Sequence, residues 1–453
     1  MKRVKLISLF VVLTVLALAV MPAAAQLGDT DVSSFTVQNV GTGTAQVTVT
    51  FIKEDGTQVV PTELNSGKTN PFTLAVGESF EIYMPGIPTA QLPDGRYSVV
   101  VSSDQQIIAI ANLVGQGTIN FNGSYSGFSS GANTFYLPAV VYNYYGWYSL
   151  ISVQNVGTAA TDVTVTITCS DGTIGTLTAT SVPAMASVHF DMETTTPTGF
   201  TTSTSCNGSA TVTSSGENVV AVDNQTAPAS GNTQSYSGVD TGVSKLYVPA
   251  LYHNYYGWNA SINILKVGAG DVTVNVTYSD SGTSTCNLTD ATPNCMLYMP
   301  TEHPGTGYFG ATVEATGGNI VAVVNAANGS QAQTYNGVAD GSGSETVGIP
   351  SVMKSYYGWN TSFTCQNIGA VATSINVSYD GYTANAYDTA TLNPGDTLEV
   401  VQSNEAFLPA GHQGGATITA NTSGASIACI VNFNNAGLMT TGDWSMSYNA
   451  FNK

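Results

Sequence analysis

A four-residue aromatic signature, Tyr-Tyr-Gly-Trp, constrains this chain more than any other feature, because it returns at domain-sized intervals. Tyr144-Tyr145-Gly146-Trp147 recurs as Tyr255-Tyr256-Gly257-Trp258 and Tyr356-Tyr357-Gly358-Trp359, about 100 to 110 residues apart, a period that marks whole repeated domains. Each copy follows a Pro-containing apolar segment: Tyr136-Leu-Pro-Ala-Val-Val141, Tyr247-Val-Pro-Ala-Leu251 and Gly348-Ile-Pro-Ser-Val352. Each precedes a second strand that ends in a turn: Ile151 to Gly157, Ile262 to Gly268 and Phe363 to Gly369. The same strand stands near the start as Phe35-Thr-Val-Gln-Asn-Val-Gly41, with Asp29-Thr-Asp31 where the aromatic signature belongs. Every copy closes on an apolar strand, Ile107 to Asn112, Val219 to Asn224, Ile320 to Asn325 or Ile427 to Asn432, then a short strand around Tyr125, Tyr236, Tyr335 or Tyr448. The reading is four tandem modules at residues 26–133, 134–243, 244–344 and 345–453.

Residues 1–25 stand apart. Lys2, Arg3 and Lys5 precede an apolar run from Leu6 to Met21 that ends in Ala23-Ala24-Ala25. A positive end, a short apolar stretch and a small-residue site describe a secretory signal peptide. The expectation is an exported mature chain beginning at Gln26, with no later segment able to span a bilayer. Secretion to the outside or cell surface of a bacterium follows from it.

Within a module the pattern is β. Val47 to Phe51, Val163 to Ile167, Val272 to Val276 and Ile375 to Tyr379 alternate apolar with small polar residues, as in a strand with one face in a core and one in water. Asp55-Gly56, Asp171-Gly172, Asp280-Ser281-Gly282 and Asp380-Gly381 follow them, and Asp-Gly supplies the positive φ of a tight hairpin. Short strands with turn signals at these intervals predict an all-β chain of four tandem immunoglobulin-like antiparallel sandwiches.

Charge excludes one partner class. With 10 Lys+Arg against 29 Asp+Glu the net charge is −19, far from the basic patch that nucleic acid requires. The six cysteines fall two per module: Cys169 and Cys206, Cys286 and Cys295, Cys365 and Cys429. Pairing within modules lets each close without help from a neighbour, and disulfides suit an oxidising, extracellular setting. Cys365–Cys429 is expected to join the two sheets of its sandwich, and Cys286–Cys295 to staple a hairpin.

The Asn-x-Gly after a strand, the Val-Thr-Val-Thr strand, Asp-Gly and then Leu392-Asn-Pro-Gly395, weaker as Leu74-Ala-Val-Gly77, resemble the immunoglobulin-like modules of bacterial exported proteins, such as the cell-adhesion-related domains found in bacteria. The resemblance implies a spacer, stalk or adhesive unit without a catalytic site. Module 2 departs from it at Val182-Pro-Ala184, and Lys266 of module 3 stands where the others carry Asn39, Asn155 and Asn367.

No nucleophile elbow, zinc motif or phosphate loop appears in the sequence, and His189, His253, His303 and His412 occupy different places in their modules. Asp191 with Glu193 is the closest local acid pair. The aromatic block admits two readings: rings packed where one sandwich meets the preceding one, or a platform that stacks on sugar rings. Its absence from module 1, which has no predecessor, favours the junction. The expectation is a non-catalytic exported structural or adhesive protein of the bacterial surface, envelope layer or matrix, built as a rod and needing no cofactor. A carbohydrate-binding array that uses Tyr144, Tyr145, Trp147, Tyr255, Tyr256, Trp258, Tyr356, Tyr357 and Trp359 is the alternative. Partners are other surface or matrix proteins or glycans. Module 1 lacks the Pro-containing first strand, which leaves a sheet edge open to self-association by strand addition.

Overall fold

The computed structural model describes residues 15–19, 30–116, 121–382, 391–435 and 442–453. Of the stretch read as a signal peptide, only Val15–Ala19 lies among them. The fold is almost entirely β, in small four- and five-stranded antiparallel sheets.

Module 2 shows the plan. Its strands, first to eighth, are Thr134–Tyr142, Tyr148–Asn155, Thr161–Cys169, Ile174–Val182, Ser187–Asp191, Cys206–Ser214, Val219–Ala227 and Asn232–Ser237. One sheet runs first–sixth–third–fourth and the other fifth–second–seventh–eighth. The third strand alternates buried and open positions, so its sheet shows one face to water. The seventh strand is buried at every position. Its sheet is therefore covered on both faces, as continuous apolar runs are.

The second cover is the rest of the molecule. The eighth strands Phe121–Ser126, Asn232–Ser237, Ala332–Asn336 and Ser445–Asn449 meet around one axis. Tyr125, Tyr236, Tyr335 and Tyr448 point into their own modules and are at most 2% exposed. The alternate positions face the axis and are small, and all but Ala332 are polar. Ser126 Oγ donates to the carbonyl of Asn449 (3.0 Å), Ser237 Oγ to that of Ser126 (2.6 Å), Asn336 Nδ2 to that of Ser237 (2.6 Å) and Asn449 Nδ2 to that of Asn336 (2.7 Å). Four modules thus close a ring of hydrogen bonds in which module 4 meets module 1. The expected rod is corrected by this closure: the modules turn about an axis because their eighth strands satisfy one another there.

Every seam around the ring shares one contact. A small residue on the sixth strand, Ser98, Ser209, Gly310 or Gly415, abuts the next module's second or fifth strand. Ser98 Oγ lies 2.6 Å from Ser187 Oγ, and Asn294 Nδ2 donates to Ser209 Oγ at 3.1 Å. At Gly310 and Gly415 a side chain would collide with Thr397 and with Gln38.

The disulfides pair as expected, Cys169–Cys206, Cys286–Cys295 and Cys365–Cys429, but two span differently. Cys365 and Cys429 are directly opposite on neighbouring strands of one sheet. Their bridge therefore does not join the two sheets. Cys286 and Cys295 lie on strands Thr283–Leu288 and Asn294–Tyr298, which belong to different sheets, so the supposed hairpin staple is the link between sheets.

Candidate functional site

In each signature the second Tyr and the Gly occupy the centre of a tight turn between first and second strands. Tyr144 N donates to Trp147 O at 3.2 Å and Trp147 N to Tyr144 O at 3.0 Å, and the Tyr255–Trp258 and Tyr356–Trp359 pairs repeat this. Both central residues take positive φ: Tyr145 +50° and Gly146 +81°, Tyr256 +48° and Gly257 +83°, Tyr357 +46° and Gly358 +83°. That is the turn whose twist suits a hairpin, and Asn or Gly ordinarily fills its first central place. A tyrosine there is strained.

The strained tyrosine does not repay its cost by packing. Tyr145 and Tyr256 are 87% exposed and Tyr357 is 78% exposed. Each touches its neighbour edge-on, at ring separations of 4.7, 4.7 and 4.8 Å. The flanking rings are held more deeply. Tyr255 stacks on Tyr252 with 6.0 Å between rings and 12° between planes, and Trp359 meets Trp444 at 6.2 Å.

Each signature stands at a seam, facing the module that follows it and not the one before, contrary to the expected direction. Tyr255, Tyr256 and Trp258 line a cleft of about 370 Å³ with Ser362, Glu399 and Asn432 of module 4. Tyr144, Tyr145 and Trp147 line one of about 210 Å³ with Asn263, Met296 and Asn325 of module 3. Tyr356 lines a third, of about 200 Å³, with Glu81 of module 1. Burial raises the Glu399 carboxyl above its ordinary range, opposed by the Ser362 hydroxyl. Burial and then the charge of Glu399 raise the Tyr255 phenol. Tyr356 is raised by its burial and by Glu81, whose oxygens accept from Ser34 Oγ (2.8 Å) and Gln413 Nε2 (2.6 Å).

The fourth seam, from module 1 to module 2, is different. Ile52, Val100 and Ala186 form an apolar plug there with Phe128, Val156 and Met185. His189 lies at the same seam with its Nε2 3.8 Å from Glu54 of module 1, its imidazole lowered to about 4 by burial and then by Arg96.

The repeated Asn of the second strand is a tether. Asn39, Asn155 and Asn367 are each fully buried. Asn155 Nδ2 donates to Ala159 O and Val182 O, and Oδ1 accepts from Gly157 N, with the same set at Asn39 and Asn367. Lys266 keeps the place by donating to Gly268 O and to Asp290 Oδ1.

His303 lies flat on Phe309 with 3.9 Å between rings, and its Nε2 is 2.9 Å from Asp280 Oδ1. His253 sits 6.4 Å from it, ring to ring. Asp191 Oδ1 is taken by the Glu193 backbone N–H at 3.0 Å.

Sequence reasoning missed Asp443. It is fully buried beside the axis, and its carboxylate accepts from Thr233 N of module 2 (3.0 Å), Ala332 N of module 3 (2.9 Å) and Ser445 N of module 4 (3.0 Å). Asn122 of module 1 donates to its backbone carbonyl. One acid thereby touches all four modules. No protein-family model matches this chain, and no curated protein does.

Proposed function

We propose that this chain is an exported, non-catalytic structural or adhesive element of a bacterial surface, envelope layer or extracellular matrix, with four sandwiches locked into a ring. The observation that carries the reading is the exposed tyrosine held at positive φ three times over. Strain of about 1 to 3 kcal/mol at each turn persists where function selects it, and the fold itself would be served better by Asn. The immunoglobulin-like reading of each module draws support from the pairing of second with fifth and third with sixth strands. In antibody-type domains, however, the first strand pairs with the second and the seventh with the sixth, whereas here the first joins the sixth and the seventh joins the second.

The experiment is co-sedimentation of the protein with envelopes and matrix from the producing cells, beside the triple variant Tyr145→Asn, Tyr256→Asn, Tyr357→Asn. Asn tolerates the turn, so the variant should melt no lower than the parent. Expected is a parent that sediments and a variant that stays in solution; equal behaviour of the two overturns the reading.

A second reading, carbohydrate binding, is favoured by the company the rings keep. Glu399 with Asn432, and Asn263 with Asn325, present hydrogen-bonding groups inside the aromatic clefts. Ring faces for stacking beside fixed acceptors are what a sugar needs. A glycan array separates the readings: glycan spots lost in the triple variant assign the clefts to sugar, and envelope binding without glycan spots assigns them to protein.

A further inference from the structure

We propose that the edge strand Ser98–Ser103 of module 1 accepts an extended segment from a different polypeptide, patterned apolar-Pro-small-apolar, once residues 1–25 have been removed.

The argument comes from comparing one module with the other three. In modules 2, 3 and 4 the first strand pairs with the sixth, and the register slips between Leu137 and Val140, Val248 and Leu251, and Ile349 and Val352. The slip falls at Pro138-Ala139, Pro249-Ala250 and Pro350-Ser351, because proline cannot donate to the ladder. A tyrosine of the eighth strand repairs the gap. Tyr236 OH donates to Ala139 O (2.5 Å) and accepts from Ala139 N (3.3 Å). Tyr448 OH does the same with Ser351 O (3.0 Å) and Ser351 N (3.4 Å), and Tyr335 with Ala250.

Module 1 retains the tyrosine without its partner. Tyr125 is 1% exposed and its hydroxyl has no hydrogen bond among the described residues. A buried hydroxyl left unpaired is a cost that a native fold ordinarily avoids. The backbone beside Ser98–Ser103 is held by Val15–Ala19, from Val15 opposite Ser103 to Ala19 opposite Val99. That segment lies inside the stretch with the features of a signal peptide, and with it in place the Tyr125 hydroxyl still meets none of the described residues. Its removal exposes a row of unpaired backbone groups over Val99 and Val101, which are core residues. Such an edge recruits a strand.

Three segments of this chain show which chemistry the slot takes: Leu137-Pro-Ala-Val140, Val248-Pro-Ala-Leu251 and Ile349-Pro-Ser-Val352. All three are already paired in their own modules. A second copy of the mature chain therefore has none to give, which points to a donor of another sequence. Met21-Pro22-Ala23 carries a similar order, so retention of the N-terminal stretch is the rival occupant.

The test uses the protein recovered from outside the producing cells, with its N-terminus fixed by mass spectrometry. A fluorescent peptide with the sequence of residues 134–142, flanked by lysines for solubility, is titrated against it by anisotropy. Expected are a chain that begins at Gln26, saturable binding of one peptide per chain, and at least tenfold weaker binding when the Pro-Ala of the peptide becomes Val-Val. The Tyr125→Phe variant should fold as the parent does and lose that tenfold preference. A chain that retains residues 1–25 overturns the proposal, as does a folded mature chain that ignores the peptide or binds a scrambled one equally. Concentration-dependent oligomers that the peptide does not disperse also overturn it, in favour of a second copy. None of these outcomes depends on the tyrosine turns, so adhesion and strand capture fail separately.

Discussion

Asp223 carries a buried carboxyl where the other modules carry an apolar side chain. It occupies a seventh-strand position filled by Ala111, Val324 and Val431 in the other modules, and it is fully buried. Ser149 Oγ and Gln225 Nε2 donate to one carboxyl oxygen, and the other has no partner among the described residues. Burial raises its carboxyl to about 7 against those hydrogen bonds. A carboxyl raised by folding favours its protonated form. Its contribution is therefore fully present below the ordinary carboxylate range, near 4, and is lost as pH climbs through 7. A shift of this size corresponds to as much as about 4 kcal/mol. Thermal melting at pH 5 and pH 8 should show a less stable parent at pH 8, and Asp223→Asn should remove part of that difference. Asp443, raised well above its usual range by burial despite its three N–H donors, leaves a residual slope of the same sign. An Asp223→Asn melting profile with the parent's full pH dependence would refute this account.

At the scale of the element, the first strand and the eighth-strand tyrosine act as one device. Tyr335→Phe and Tyr448→Phe each strand a buried carbonyl and N–H, whereas Tyr236→Phe strands the Ala139 N–H alone, since the Ala139 carbonyl keeps Gln225 Nε2 at 2.5 Å; each should cost about 1 to 3 kcal/mol, Tyr236→Phe the least. Tyr125→Phe removes a hydroxyl that has no partner among the described residues and should cost nothing in the unoccupied protein. Denaturant unfolding of the four variants provides the check, and equal losses at all four would refute the device. These elements also show how far the sequence could be read. The third strands, the Asp-Gly turns and the Pro-containing first strands announced themselves through alternation and turn chemistry, because each reports a local contrast between core and water. The seventh strands carried a further signal that went unused: Val219 to Asn224 does not alternate, and a strand without alternation is buried on both faces. The sheet assignment of the cysteines was not legible, since Cys365 and Cys429 are neighbours only through a ladder 64 residues apart in sequence. The direction in which the aromatic turns face was equally hidden. Sequence adjacency places each turn beside the preceding module, whereas the ring places it against the following one.

At the scale of the molecule, the ring makes a claim about shape that an elongated array cannot meet. A compact chain of this length has a radius of gyration of about 22 Å, whereas four sandwiches in line would give roughly 40 Å. Small-angle scattering of the monomer should return the smaller value. The closure is held at the axis by hydrogen bonds between small polar side chains and neighbouring backbones, with little apolar area there, so its strength should depend on few groups. Asp443 is foremost among them, because its removal orphans N–H groups in three modules at once. Asp443→Ala should therefore cost about 3 kcal/mol or more and speed hydrogen exchange at Thr233 and Ala332, in modules whose own sequence is untouched. Asp443→Asn, which keeps one acceptor, should lie between. If exchange quickened only around Ser445, the carboxylate would serve its own module alone. The ring would then have to be held by the seams, where the aromatic clefts lie, and tyrosine variants would loosen the whole assembly instead of leaving its melting unchanged.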